Sequence, residues 1–178
     1  MPTVASAAIA GVAYAALYAG HQIGDHAVQT SAAAAAKGAP TVERLAAGAN
    51  PWAGWGACLR HVATYALVQA LALGLICLVA PLTVPGVVAA LAVSASTHAV
   101  IDRRWPVRLL IRAKRCEDWR EAPYLLDQAL HYGALLLAAV AATTSTLGGA
   151  VAVFVPAVML VGAALIVERR QSVMVRPG

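Results

Sequence analysis

Five long apolar runs divide this 178-residue chain, and each approaches the roughly 20 residues that a helix needs to cross a hydrocarbon core. The first, "TVASAAIAGVAYAALYA", carries no charge from Thr3 to Ala19. The second lies within "NPWAGWGACLRHVATYALVQALALGLICLVA". The third is "VPGVVAALAVSASTHAVID", the fourth "YLLDQALHYGALLLAAVAATTS" and the fifth "GGAVAVFVPAVMLVGAALIV". Lipid offers the backbone no hydrogen-bond partner, so such runs must close their bonds internally. The expected fold is therefore all-α: one transmembrane domain of about five helices, over residues 3–21, 56–80, 84–102, 125–145 and 147–167. Only 12% of the residues are charged, about half the share in a soluble domain. The runs are rich in Ala and Gly, which let helices approach closely where packing replaces the hydrophobic drive.

Punctuation between the runs sharpens this expectation. The first helix is expected to continue through "AVQTSAAAAAK" and stop at Gly38 and Pro40. Asn50 and Pro51 form a start signal for the second helix. Trp52 and Trp55 suit the headgroup region. Pro156 is expected to kink the fifth helix. No basic residue precedes the first run, so a cleaved leader is not expected. Cys58, Cys77 and Cys116 are scattered, which fits neither a disulfide framework nor a thiolate metal site.

Charge gives the orientation. The net charge is +5, but seven of the thirteen Lys and Arg lie between Arg103 and Arg120. Lys37, Arg44 and Arg60 lie in the first loop, and Arg169, Arg170 and Arg176 follow the fifth run. Basic loops stay cytoplasmic, which places the N-terminus outside and the C-terminus inside a plasma membrane. Charge confined to loops in this way does not make a nucleic-acid surface.

With that topology the polar residues fall into one layer. "HQIGD" sets His21 four residues before Asp25 at the inner end of the first helix, and "STHAVID" sets His98 four before Asp102 in the third. In the antiparallel fourth helix, "LLDQALH" reverses the order to Asp127 and His131. "LRHVATY" adds His61 at the inner start of the second. Residues four apart share a helical face, so in each pair the imidazole is deeper and the carboxylate nearer the cytosol. A single pair is more often an interhelical clasp than a ligand set. Three pairs and His61 at one depth point to a site for one or two divalent metals, with zinc, manganese and iron all compatible with imidazole and carboxylate ligands. Its expected ligands are His21, Asp25, His61, His98, Asp102, Asp127 and His131, with Asp25, Asp102 and Asp127 as the candidates for catalytic work. Gln29 and Gln128 fit two roles equally: orienting the carboxylates from behind, or hydrogen-bonding between helices. His26 points about 100° away from Asp25 on a helix, which makes it peripheral. Tyr65 and Tyr132 are expected to pack.

The loop "DRRWPVRLLIRAKRCEDWRE" carries Arg104, Arg108, Arg112 and Arg115 at helical spacing, with Trp105, Leu109 and Ile111 as apolar mass. Residues 103–123 are expected to form a cytoplasmic loop with a short basic helix on anionic headgroups. Arg60, Arg103 and Arg104 are the candidates for holding a substrate phosphate, since a guanidinium engages two oxygens at once.

The signatures "HQIGDHAVQ" followed by Lys37, "LRHVATYAL", "THAVIDRRWPV" and "LLDQALH" resemble an uncharacterised bacterial membrane family, domain of unknown function 3307, also found in phage genomes. The resemblance runs from His21 to His131. That family usually has an apolar residue, often Phe, where this chain has His26. The pattern is more loosely similar to inner-membrane metal-dependent hydrolases. This resemblance implies a bacterial inner membrane and the same polar constellation, and it supplies little about a reaction.

The leading functional expectation is a membrane metalloprotein, a hydrolase acting on a phosphate- or ester-bearing substrate at the inner leaflet. A transporter for metal ions or protons could use the same residues, although few polar groups (Gln69, Ser94, Ser96, Thr97) line the outer half. A di-iron oxidoreductase is a third reading, which the lack of core glutamates disfavours. A non-catalytic membrane adaptor is the fourth. A homo-oligomer is compatible with each.

Overall fold

The computed structural model describes residues 3–175. All regular structure among them is helical, and five helices are long and apolar enough to cross a membrane. Helix α1 spans Val4–Gln22. Its N-terminus is capped by Thr3, whose hydroxyl accepts from the Ser6 amide. It does not continue through the alanine run as expected. A π-helical turn over Ile23–Val28 follows it, and the backbone becomes extended at Gln29 and Thr30. Thr30 then caps a separate short helix, α2, over Ser31–Ala36, accepting from the Ala33 amide. A threonine oxygen competes well for free helix-start amides, and here that preference outweighs the propensity of five alanines.

Helix α3 (Val42–Ala46) is short, and α4 covers Trp55–Ile76. Asn50 does not cap α4: its side-chain oxygen accepts from the Trp52 amide instead. A turn fills residues 51–54 and α4 starts after Gly54, at φ 89°. A Cβ there would also sit within 2.8 Å of the Gly38 and Ala36 carbonyl oxygens and Arg103 Nη1. Glycine is thus required where the first loop presses on the start of α4.

Helix α5 spans Val84–Asp102 behind a Thr83 cap, with Pro85 in its first turn. The basic segment forms the expected helix, α6, over Trp105–Lys114, with Pro106 in its first turn. Helices α7 (Ala122–Ala141) and α8 (Leu147–Val175) complete the chain. Helix α8 passes through Pro156 and carries Arg169 and Arg170 on its final turns, beyond the expected boundary at 167. Arg176 lies outside the described residues.

Four of the long helices close a ring. Helix α1 packs on α4 and α7, α5 packs on the same two, and α8 lies outside against α5. Ala13, Leu17, Leu73, Ala90, Leu135 and Ala138 fill one half of the ring. Small residues dominate that half, which permits the close approach that packing in lipid requires. The polar residues occupy the other half.

Candidate metal centre

Each helix of the ring sends side chains into one buried pocket at the end where α1 and α5 finish and α4 and α7 begin. His61 Nε2 from α4 lies 3.0 Å from His98 Nε2 of α5 and 3.4 Å from Asp102 Oδ2. His98 Nε2 lies 3.1 Å from that same oxygen. Asp25 Oδ1, from the π-helical turn, joins them at 3.1 Å from His61 Nε2 and 3.4 Å from His98 Nε2. The two Nε2 atoms therefore lie 3.0–3.4 Å from each other and from both carboxylate oxygens.

That spacing decides what the cluster can do. An ion about 2.0–2.1 Å from each ligand sets ligand–ligand edges of about 3.3–3.4 Å in a tetrahedron and about 2.9 Å for neighbouring octahedral positions. The observed edges span that interval. Hydrogen bonding alone satisfies the group poorly. Only one of two facing imidazole nitrogens can donate to the other, and Asp102 Oδ2 and His98 Nδ1 are buried without a hydrogen-bond partner among the described residues. His61, His98 and Asp102 form one group able to hold a metal ion, and His21, Asp25 and His98 form another.

His21 and His131 stand just beyond. Their rings stack with centroids 5.0 Å apart. His21 Nδ1 is 3.7 Å from Asp25 Oδ2, and His131 Nε2 is 3.9 Å from Asp102 Oδ1. Asp127 does not join the ligand atoms as expected. It is 27% exposed, and its carboxylate lies 3.4 Å from His131 Nδ1, which also bonds the Asp127 carbonyl at 2.9 Å. Starting one turn further out on α7, it reaches the far edge of its imidazole. Gln128 accepts from His21 Nε2 at 3.3 Å and donates to Asp127 at 3.4 Å. Gln29 touches none of the carboxylates and accepts from Lys37 Nζ. His26 is exposed at the edge of the site.

Lys37 is the largest addition to the site beyond the residues expected from the sequence. The loop after α2 brings it inward, buried, with Nζ 2.7 Å from Asp102 Oδ1. It supplies a fixed positive charge against the layer of carboxylates. The charge pattern of the loops treated it only as a topological signal.

Arg103 corrects a substrate-binding expectation. Its side chain is 0% exposed. Nε donates to Glu168 Oε1 at 2.8 Å, Nη1 to the Lys37 carbonyl at 2.8 Å and Nη2 to the Ala53 carbonyl at 2.7 Å. The guanidinium lies over the Trp55 ring, whose Nε1 donates to Glu168 at 2.7 Å. Four of its five N–H groups are thus spent on the protein, counting a second bond from Nη2 to Glu168 at 3.2 Å, and burial closes the side chain to a phosphate. Glu168, overlooked in the sequence, is the sole acid of the fifth run and the residues after it, next to Arg169 and Arg170, and this was its readable signal. It also places a glutamate inside the bundle, engaged by arginine and away from the imidazoles. Arg104 adopts φ 63° and donates to the Ala34 carbonyl, so it too fastens the first loop.

Arg60 alone of the three arginines keeps an open position. It is exposed beside a groove of about 450 Å³, lined also by Gln29, Thr30, Ala33, His61 and Thr64. This groove reaches the pocket at His61. On the opposite side, Tyr65 stacks on His98 at 3.7 Å between centroids and bonds Ser94, which donates to Gln69 at 2.6 Å. Gln69 ends this polar ladder on the Leu17 carbonyl, where the alanine-rich half of the ring begins. Tyr132 accepts from Gln22 nearby.

No curated protein and no solved structure matches the chain. The family model described as "Protein of unknown function (DUF3307)" matches residues 14–161. That span includes His21, Asp25, Lys37, His61, His98, Asp102, Asp127 and His131, and the chain belongs to this family.

Proposed function

We propose that the protein is an integral-membrane, metal-dependent hydrolase, with one divalent ion held by His61, His98, Asp102 and Asp25. The observation that carries this reading is the crowding at His61 and His98, whose Nε2 atoms lie 3.0–3.4 Å from each other and from an oxygen of Asp25 and of Asp102. Asp25 and Asp102 bring two negative charges and Lys37 returns one positive, so the pocket favours a cation. Bound there, zinc, manganese or iron would act as a Lewis acid and lower the pKa of a water molecule near the substrate.

The protein's own groups do the rest. The groove at His61 admits a substrate, and Arg60 at its wall holds an anionic group such as a phosphate. Lys37 orients Asp102 and neutralises its outer oxygen. Asp127 and Gln128 fix the orientation of His131 and His21. Asp25, 3.1 Å from the His61 imidazole that lines the groove, would accept a proton during turnover. The setting is a bacterial plasma membrane with the site near the cytoplasmic leaflet, an orientation supported by the basic loops. The exposed Arg112 and Lys114 of α6, with Arg115 just past its end, would face anionic headgroups.

Transport is the second reading, and the Tyr65–Ser94–Gln69 ladder favours it. The ladder stops at the apolar packing of Leu17, Leu73 and Leu135, which offers an ion no further ligands. Purified protein tests the choice with phosphate-ester and carboxylic-ester probes. Hydrolysis should vanish with chelation, return with added metal, and fall at least 100-fold in His98→Ala. Metal flux into proteoliposomes without hydrolysis of any probe would overturn the hydrolase reading in favour of transport.

A further inference from the structure

We infer that the pocket holds a second divalent cation, between His21 and His131, sharing Asp25 and Asp102 with the first. This deepens the metal reading above and rests on it. The hydrogen bonds behind the two imidazoles carry the inference. His131 Nδ1 lies 2.9 Å from the Asp127 carbonyl oxygen. A carbonyl only accepts, so Nδ1 carries the proton and the neutral ring presents a bare lone pair at Nε2. Gln128 Nε2 donates to the Asp127 carboxylate, which fixes the amide and turns its oxygen toward His21 Nε2. That nitrogen therefore donates, and His21 presents its lone pair at Nδ1.

Both lone pairs are buried, on rings that are 0% and 2% exposed, and neither atom has a hydrogen-bond partner among the described residues. What each faces is a carboxylate oxygen that the first ligand set leaves over: Asp25 Oδ2 at 3.7 Å and Asp102 Oδ1 at 3.9 Å. A lone pair turned toward an anion in a desolvated pocket is repulsive. A cation between them turns the same atoms into ligands. Metal-binding imidazoles characteristically have the remote nitrogen held by a carbonyl, carboxylate or amide, which is the arrangement on α1 and α7. Asp25 and Asp102 each have one oxygen toward His61 and His98 and the other toward this second position, as bridging carboxylates do. Lys37 Nζ contacts Asp102 Oδ1 at 2.7 Å. It uses one of that oxygen's two lone-pair positions.

The full chain, purified in detergent, stripped with chelator and reloaded with Mn(II), tests this by metal stoichiometry and electron paramagnetic resonance. Two equivalents per chain with an exchange-coupled signal are expected for the unaltered protein. His131→Gln should drop to one equivalent with an uncoupled six-line signal. One uncoupled ion in the unaltered protein would overturn the second site and leave the first standing, with water satisfying the two lone pairs. Two uncoupled ions would also overturn it, by removing the shared carboxylates. No bound metal would overturn both. The unaltered protein decides among these outcomes even if the variant fails to fold.

Discussion

Arg103 and Glu168 illustrate how a charged residue near lipid can be committed to architecture. Their ion pair is buried, and two further N–H groups of the guanidinium bind the carbonyls of Lys37 and Ala53. Arg103 thus ties α5 to α8 and holds the segment that places Lys37 against Asp102. Removing one partner of a buried pair leaves the other charge uncompensated, at a cost of about 3–5 kcal/mol. Glu168→Ala should therefore lower the thermal midpoint of the detergent-solubilised protein steeply. Exposed Arg115→Ala should leave it within about 0.5 kcal/mol of the original. Equal effects would remove Arg103 from its structural role. The layer of His and Asp was legible because residues four apart must share a helix face, and the reversed order in α7 is what antiparallel packing requires. The partners of Arg103 were not legible. A guanidinium beside a candidate site has the same appearance in a sequence whether it binds phosphate or the protein's own carbonyls.

At the scale of elements, the long helices were readable and their joints were not. Run length and apolarity set α1, α4, α5, α7 and α8 to within a few residues, apart from the extension of α8 to Val175. The errors lie at Thr30 and Asn50, where a side-chain oxygen chooses among competing backbone amides. Those joints bring Lys37 into the pocket, and Gly54 is the tightest of them. Gly54→Ala would place a methyl against two carbonyl oxygens in a left-handed backbone, costing about 1–3 kcal/mol from conformation alone. Gly74→Ala, within α4 and with open space around it, should be neutral or stabilise by up to about 1 kcal/mol. Thermal denaturation of the two variants side by side checks the contrast, and similar midpoints would mean that the first loop does not press on α4.

For the whole molecule, the ring of α1, α4, α5 and α7 divides into an apolar half and a polar half, with the basic segments gathered at the polar end. The native cysteines report its orientation. Cys77 is exposed beyond the apolar half, Cys116 lies at the end of α6, and Cys58 is buried. A membrane-impermeant maleimide should label the Cys116→Ser variant from outside intact cells. It should label the Cys77→Ser variant only after permeabilisation. The reverse pattern would invert the orientation proposed from the basic loops.

Helix packing alone gives no reason to gather four imidazoles and two carboxylates from four helices at 3.0–3.9 Å; a bound cation does. X-ray absorption at the metal edge of the purified, reloaded protein addresses that cation most directly. Scattering from nitrogen and oxygen at about 2.0–2.2 Å, with the outer-shell pattern of imidazole that disappears stepwise in His61→Ala and His98→Ala, is the expected result. A preparation that takes up no metal, or an ion ligated by sulfur at about 2.3 Å, would contradict it.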